Sequence, residues 1–253
     1  MNRLPGSTCP HRIALRLNNY GTMLFKAGCL EDATAFFSDA VSMVKTSLGT
    51  DDLSKERLAQ TASRKLEMTS NHIQSSSSGT DLELGVVIDE DCSMLPYLVH
   101  TKEPEEILIA ISFSEDSISA DDVSETRDIN YDSAVILYNL ALTYICTSKS
   151  ETKISQQNDR PSRSSSLQRA IKLLELSHSL LAGNNGETMV LTRVLNGLTL
   201  VLTNLGYVYH STGDKARCQA IQEGTKDLKK IINELEQIGV LGSPTSCSTA
   251  PAA

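Results

Sequence analysis

Apolar residues in the first fifty positions recur at steps of three and four. Ile13, Leu17, Tyr20 and Leu24 form one such stripe, and Ala33, Phe36, Phe37, Ala40, Val41 and Val44 form a second. That period belongs to amphipathic helices. Gly28 stands between them, where a left-handed residue ends a helix, and Glu31 and Asp32 put negative charge in the first turn of the next. The pattern predicts a helical hairpin over residues 12–48, after a loose lead-in over 1–11 that holds two prolines. Leu53, Leu58, Ala59, Ala62 and Leu66 predict a further helix, with Asp51 or Asp52 as its cap, and the polar run from Ser70 to Thr80 ends it.

The period then changes. Residues 84–88 and 107–113 are short β-branched apolar runs lying near Pro96 and Pro104, and they read as extended segments. Pro104 with Glu105 and Glu106 is equally suited to opening a short helix, so the second run carries both readings. Helical spacing returns after Asp132, a suitable N-cap, with Leu140, Ala141 and Tyr144. A Ser- and Arg-rich insert at 149–166 follows, and Leu167, Ala170, Ile171, Leu174, Leu180 and Leu181 restore the stripe. A long helix is expected over 187–212, then a turn at Gly213 and Asp214. A last helix carries Leu228, Ile231, Ile232 and Leu235 on one face. From Gly239 the text is Gly, Ser, Pro, Thr and Ala, the composition of a disordered tail.

Small residues sit where these helices must touch. Gly21, Leu24, Ala33, Phe37 and Ala40 resemble the tetratricopeptide repeat, at the spacing that family uses. Leu140, Ala141 and Tyr144 resemble its first helix again, as do Leu205, Gly206 and Tyr209 with the Gly213–Asp214 turn. The third repeat departs from the pattern on its second helix. There Cys218 and Thr225 stand in place of alanine and Gln222 in place of the aromatic. The resemblance implies an all-α fold, an α-solenoid of three antiparallel hairpins with an acidic, partly extended insertion. The repeats would span 12–48, 131–185 with an inserted loop at 149–166, and 186–238. An extra helix, a Ser-rich linker and the acidic insertion would fill 49–130, and the tail would run from 239 to 253.

What the resemblance implies about function is a non-enzymatic protein–protein interaction module, an adaptor or scaffold that takes a partner's peptide or helix in its concave groove. Asn19, Asn139 and Asn204 each stand two residues before the small residue of a first helix. In the family that position faces the groove, and an amide there offers a bound backbone both a donor and an acceptor. These three are the expected partner-binding residues. Asn is also simply common at such positions, where it bonds a neighbouring turn. A second reading is an autoinhibited or structural protein in which residues 94–113 fill the groove as a built-in ligand. The family's clamp for a terminal carboxylate is not expected. At the matching places stand Asn18, Thr22, Asn139, Leu200 and Asn204, so the cations that recognition needs are missing.

Charge sharpens the second reading. The net charge is −8, against a general nucleic-acid binder. Residues 81–132 hold fifteen acids against Lys102 and Arg127, a net −13, while the rest holds sixteen acids and twenty-one bases, a net +5. An acidic insert thus faces a mildly basic frame. The six cysteines form no CxxC and read as free thiols of a reducing compartment, cytoplasmic or nuclear; no secretory signal or long apolar run is present.

Candidate chemistry is thin. Phosphate-loop, nucleophile-elbow and HExxH patterns are absent, so no cofactor, metal or catalytic residue is expected. His210 reads as a surface or groove histidine, and Cys146 and Cys218 as buried packing. The Asp89, Glu90, Asp91 cluster lacks the alternate spacing of a calcium loop and reads as a solvated face. Serines beside Arg160 and Arg163, and Ser119 beside Asp121 and Asp122, are candidate phosphate acceptors.

Overall fold

The structure, a computed structural model, describes residues 9–47, 57–66, 86–89, 109–114, 118, 129–154, 161–182 and 188–237. Its elements are α1 (Pro10–Lys26), α2 (Leu30–Ser47), α3 (57–66), β1 (Val86–Asp89), β2 (Ile109–Ser112), α4 (Ile129–Ile154), α5 (Pro161–Ala182), α6 (Thr188–Thr212) and α7 (Lys215–Gln237). The described chain is therefore mostly helical, with one parallel two-stranded sheet in which Val86 lies opposite Ile109 and Asp89 opposite Ser112. The helices pack in chain order, α1 on α2, α2 on α4, α4 on α5, α5 on α6 and α6 on α7. The alternate helices also meet, α1 on α4 and α4 on α6.

The first hairpin forms as its spacing predicts. Ile13, Leu17, Phe25, Ala33, Phe37 and Ala40 are all buried in the main core, and Gly21 is buried among them. A Cβ added to Gly21 would come within 2.6 Å of the Phe37 ring, so the missing side chain is what lets α1 approach α2. Gly28 has φ 79°, a conformation that costs glycine nothing. Its N–H donates to the Phe25 carbonyl and the Cys29 N–H to the Leu24 carbonyl, which satisfies two of the carbonyls the helix end leaves open. The same turn recurs between α6 and α7. There Gly213 has φ 80°, its N–H donates to His210, and the Asp214 N–H donates to Tyr209. Asn19 and Asn204, Gly21 and Gly206, and Gly28 and Gly213 each stand 185 positions apart, so sequence and hydrogen bonding repeat together.

Two polar rungs fix α1 against α4. His11 Nε2 and Asp132 Oδ2 are 2.8 Å apart, and Asn139 Nδ2 donates to Asn18 Oδ1 at 2.8 Å. Both pairs are separated by 121 residues, and the rungs lie two helical turns apart, so α1 and α4 run parallel in one register. The side chains of all four residues are buried, where a slipped register would strand them without partners. Farther along, the Ser177 hydroxyl of α5 donates to the Ala134 carbonyl of α4. A smaller apolar cluster of Leu195, Leu202, Leu228 and Ile232 joins α6 to α7.

Several boundaries differ from expectation. The lead-in ends sooner, because Pro10 opens α1 at a position where its missing N–H has no helical partner to lose. Asp132 does not cap α4; the helix starts at Ile129, and Asp132 lies in its first turn facing His11. The insert at 149–166 is taken into helix at both ends, with α4 running to Ile154 and α5 beginning at Pro161. Ser166, the last residue of that insert, is buried on α5. The caps proposed at Asp51 or Asp52, the Ser-rich linker, Arg160, Ser119 with Asp121 and Asp122, and the tail lie outside the described residues.

Candidate functional site

Extended backbone offers its N–H and C=O to one edge at each residue and to the opposite edge at the next. In β2 this alternation divides the strand between two neighbours. Parallel pairing with β1 occupies one edge, and α1 and α4 present side-chain amides to the other. Asn139 Oδ1 accepts the Ile111 N–H at 3.0 Å, and its Nδ2 donates to the Ile111 carbonyl at 2.8 Å. Asn18 Nδ2 donates to the same carbonyl at 3.0 Å. One turn along the strand, Asn19 Oδ1 accepts the Phe113 N–H and its Nδ2 donates to the Phe113 carbonyl, both at 2.7 Å. The amides act as a surrogate third strand.

At the other end of β2 the contact is a phenol. The Tyr138 hydroxyl donates to the Ile109 carbonyl at 2.9 Å and accepts from Asn204 Nδ2 at 3.3 Å. Burial drives the Tyr138 phenol far above the ordinary tyrosine range, and the Asn204 hydrogen bond opposes that only in part. The hydroxyl therefore stays protonated and keeps donating. Asn204 Nδ2 also donates to the Leu200 carbonyl of its own helix at 3.2 Å. From Ile109 to Phe113 the strand runs from Tyr138 and Asn204 across Asn139 to Asn19, opposite to the chain order of the helices.

Side chains complete the seat. Ala110, Ile111 and Phe113 are buried, while Ile109 and Ser112 are half-buried. Ile118, beyond the strand, is also buried in the main core.

Of the three asparagines expected to hold a partner, Asn19 and Asn139 hold the chain's own backbone. Asn204 bonds the phenol that reaches the strand. Two contributors were missed. Asn18 stood only at a clamp position, and Tyr138 had no part in the expected site. Repeat spacing matches Asn139 to Asn19, but the amide that Asn139 meets is Asn18, because adjacent parallel helices are offset by one residue at their contact. The only sequence signal for these two was adjacency, with Asn18 beside Asn19 and Tyr138 beside Asn139.

His210 is exposed near the end of α6, and Cys146 and Cys218 are buried. Burial raises the Cys146 thiol to about 12. No disulfide joins the described cysteines, and Cys92 and Cys247 lie outside the described residues. Asp89 ends β1, whereas Glu90 and Asp91 are not described. Among the described residues no group of His, Cys, Asp or Glu is arranged to hold a metal ion. No described helix is long and apolar enough to cross a membrane. Comparison with protein-family models, with curated proteins and with solved structures finds no match.

Proposed function

We propose that this chain is a non-enzymatic interaction module, a tetratricopeptide-like helical-repeat protein whose groove takes an extended segment and is filled at rest by its own insertion. The supporting observation is the pair of two-point amide clamps, Asn139 on Ile111 and Asn19 on Phe113. Such clamps grip main chain, which every peptide has, so another extended segment can satisfy them equally. A partner would enter by displacing residues 109–113. The built-in ligand is tethered, so an incoming peptide competes with a local concentration on the order of millimolar. Affinity in the resting protein is correspondingly weak, and anything that loosens the insertion raises it. The acidic insert against a basic frame favours the resting, filled state in low salt. An adaptor working in the cytoplasm fits the absence of a disulfide among the described cysteines.

The test uses the full chain carrying Ile111→Pro, which removes the N–H that Asn139 accepts. A labelled synthetic peptide of residues 106–115 is titrated against it, with helicity checked by circular dichroism. The proposal expects saturable binding to this variant, little to the intact chain, and loss when Asn19→Ala and Asn139→Ala are added. No binding by a variant that keeps its helicity contradicts it and leaves β2 as a purely structural strand. Should helicity fall, Phe113→Ala gives a milder way to loosen the strand with the same two outcomes.

A further inference from the structure

The built-in strand also reports what the groove selects. Resting on the reading above, we infer that the displacing ligand is a five-residue extended segment, uncharged, with large apolar side chains at its third and fifth residues and a small one at its second. Its backbone is read only at alternate residues, which gives a proline rule: proline is admitted at the first residue and excluded at the third and fifth.

The argument starts from which atoms are engaged. At Ile111 and Phe113 the helices use both the N–H and the carbonyl. At Ile109 they use the carbonyl alone, through Tyr138, and among the described residues no helix side chain accepts its N–H. Ala110 and Ser112 present their backbone to β1 by the alternation of the strand. A ligand lacking the third N–H therefore leaves the buried Asn139 Oδ1 without its donor, one lacking the fifth does the same to the half-buried Asn19 Oδ1, and one lacking the first N–H takes no donor from either. Proline is also compatible with the first residue of a strand.

Side-chain preferences follow from burial. Ile111 and Phe113 are almost fully enclosed, and a charge there would lose its water. Ala110 has no exposed surface, so a larger residue at that position must displace core atoms. Ser112 is half-buried and sets no such limit. Asn204 acts here as a positioning residue. It donates to the Tyr138 hydroxyl, which in turn donates to the first carbonyl.

The experiment compares four synthetic peptides of residues 106–115 on the full-length Ile111→Pro protein. One is unmodified and three carry a single N-methyl group, at the residue matching Ile109, Ile111 or Phe113. The inference expects the first N-methyl peptide to bind within about threefold of the parent. It expects the other two to bind about tenfold weaker or worse, as losing a buried hydrogen bond implies. Equal binding by all three methylated peptides overturns the inference while leaving the groove a peptide site. Absence of binding by the parent overturns both. A second readout avoids the peptides altogether. In the full chain, Ile109→Pro leaves the melting temperature nearly unchanged, while Phe113→Pro lowers it by several degrees. The reverse order contradicts the rule.

Discussion

The first and last hairpins close with the same turn and are packed differently. In α1–α2, Gly21 lies under the Phe37 ring with no room for a Cβ; in α6–α7 the matching Gly206 has only Ile221 Cγ2, 3.5 Å from where a Cβ would stand. The aromatic of the first hairpin is Gln222 in the last, and Ala33 is replaced by Cys218, whose thiol reaches the Gly206 carbonyl at 3.6 Å. Asn19 bonds the Phe113 backbone directly, whereas Asn204 bonds the Tyr138 hydroxyl. One turn motif with the same glycines thus supports a close-packed wall at one end of the array and a looser one at the other. What an asparagine does there depends on what the neighbouring helix brings beside it.

That contrast can be broken most strongly at Gly21. Gly21→Ala is expected to destabilise the protein by about 3 kcal/mol, because a fully buried ring must move. Gly206→Ala is expected to be neutral or stabilising by up to about 1 kcal/mol, from helix propensity. Urea titrations of the two variants decide it, and equal losses would erase the distinction. Next in size, Asn19→Ala removes two hydrogen bonds to the Phe113 backbone and should cost about 2 kcal/mol. Asn204→Ala removes one donor from a phenol that keeps its acceptor and should cost about 1 kcal/mol, read in the same titrations.

A smaller effect separates the two turns themselves. Asp214 caps α7, its Oδ1 accepting the Arg217 N–H at 3.2 Å, while the exposed Cys29 at the equivalent place in the first turn has no such bond to α2. Cys29→Asp should therefore stabilise and Asp214→Ala destabilise, each by about 1 kcal/mol. The smallest effect is alkaline. The Tyr209 hydroxyl donates to Glu175, and burial, with that carboxylate, pushes the phenol up to about 12. The unfolded chain loses the proton near its ordinary value of 10, so the contribution is intact below that pH and lost as pH rises towards 12. Melting temperatures at pH 9 and pH 11 should fall more for the native chain than for Tyr209→Phe.

Local text carried most of the helices. The stripes of α1, α2, α6 and α7, and glycine at the two left-handed turns, need only the residues of one element and its neighbour. The extended reading of 107–113 rested on β-branching, and β2 bears it out; Pro104, which would have opened the alternative helix, lies outside the described residues. What the text did not disclose is long-range pairing. Nothing near Val86 names Ile109 as its partner, and nothing near His11 names Asp132, because such contacts are set by how α1 and α4 stack. For the same reason Asn19 and Asn139 were singled out for a partner's backbone, while the segment they hold here was only one of two readings. Tyr138 was passed over because a tyrosine in an apolar stripe shows its hydroxyl's purpose only when the acceptor is in place.

The most direct measurement of the account is residue-resolved hydrogen exchange at the Ile111 and Phe113 amides, in the native chain and in Asn19→Ala. Both protons are accepted by side-chain amides, so both should be protected in the native chain. In the variant the Phe113 proton should lose its protection while Ile111, held by Asn139, keeps most of its own. Unprotected exchange at both positions in the native chain would mean that the groove does not hold its own strand, and the account of a filled groove would fail with it.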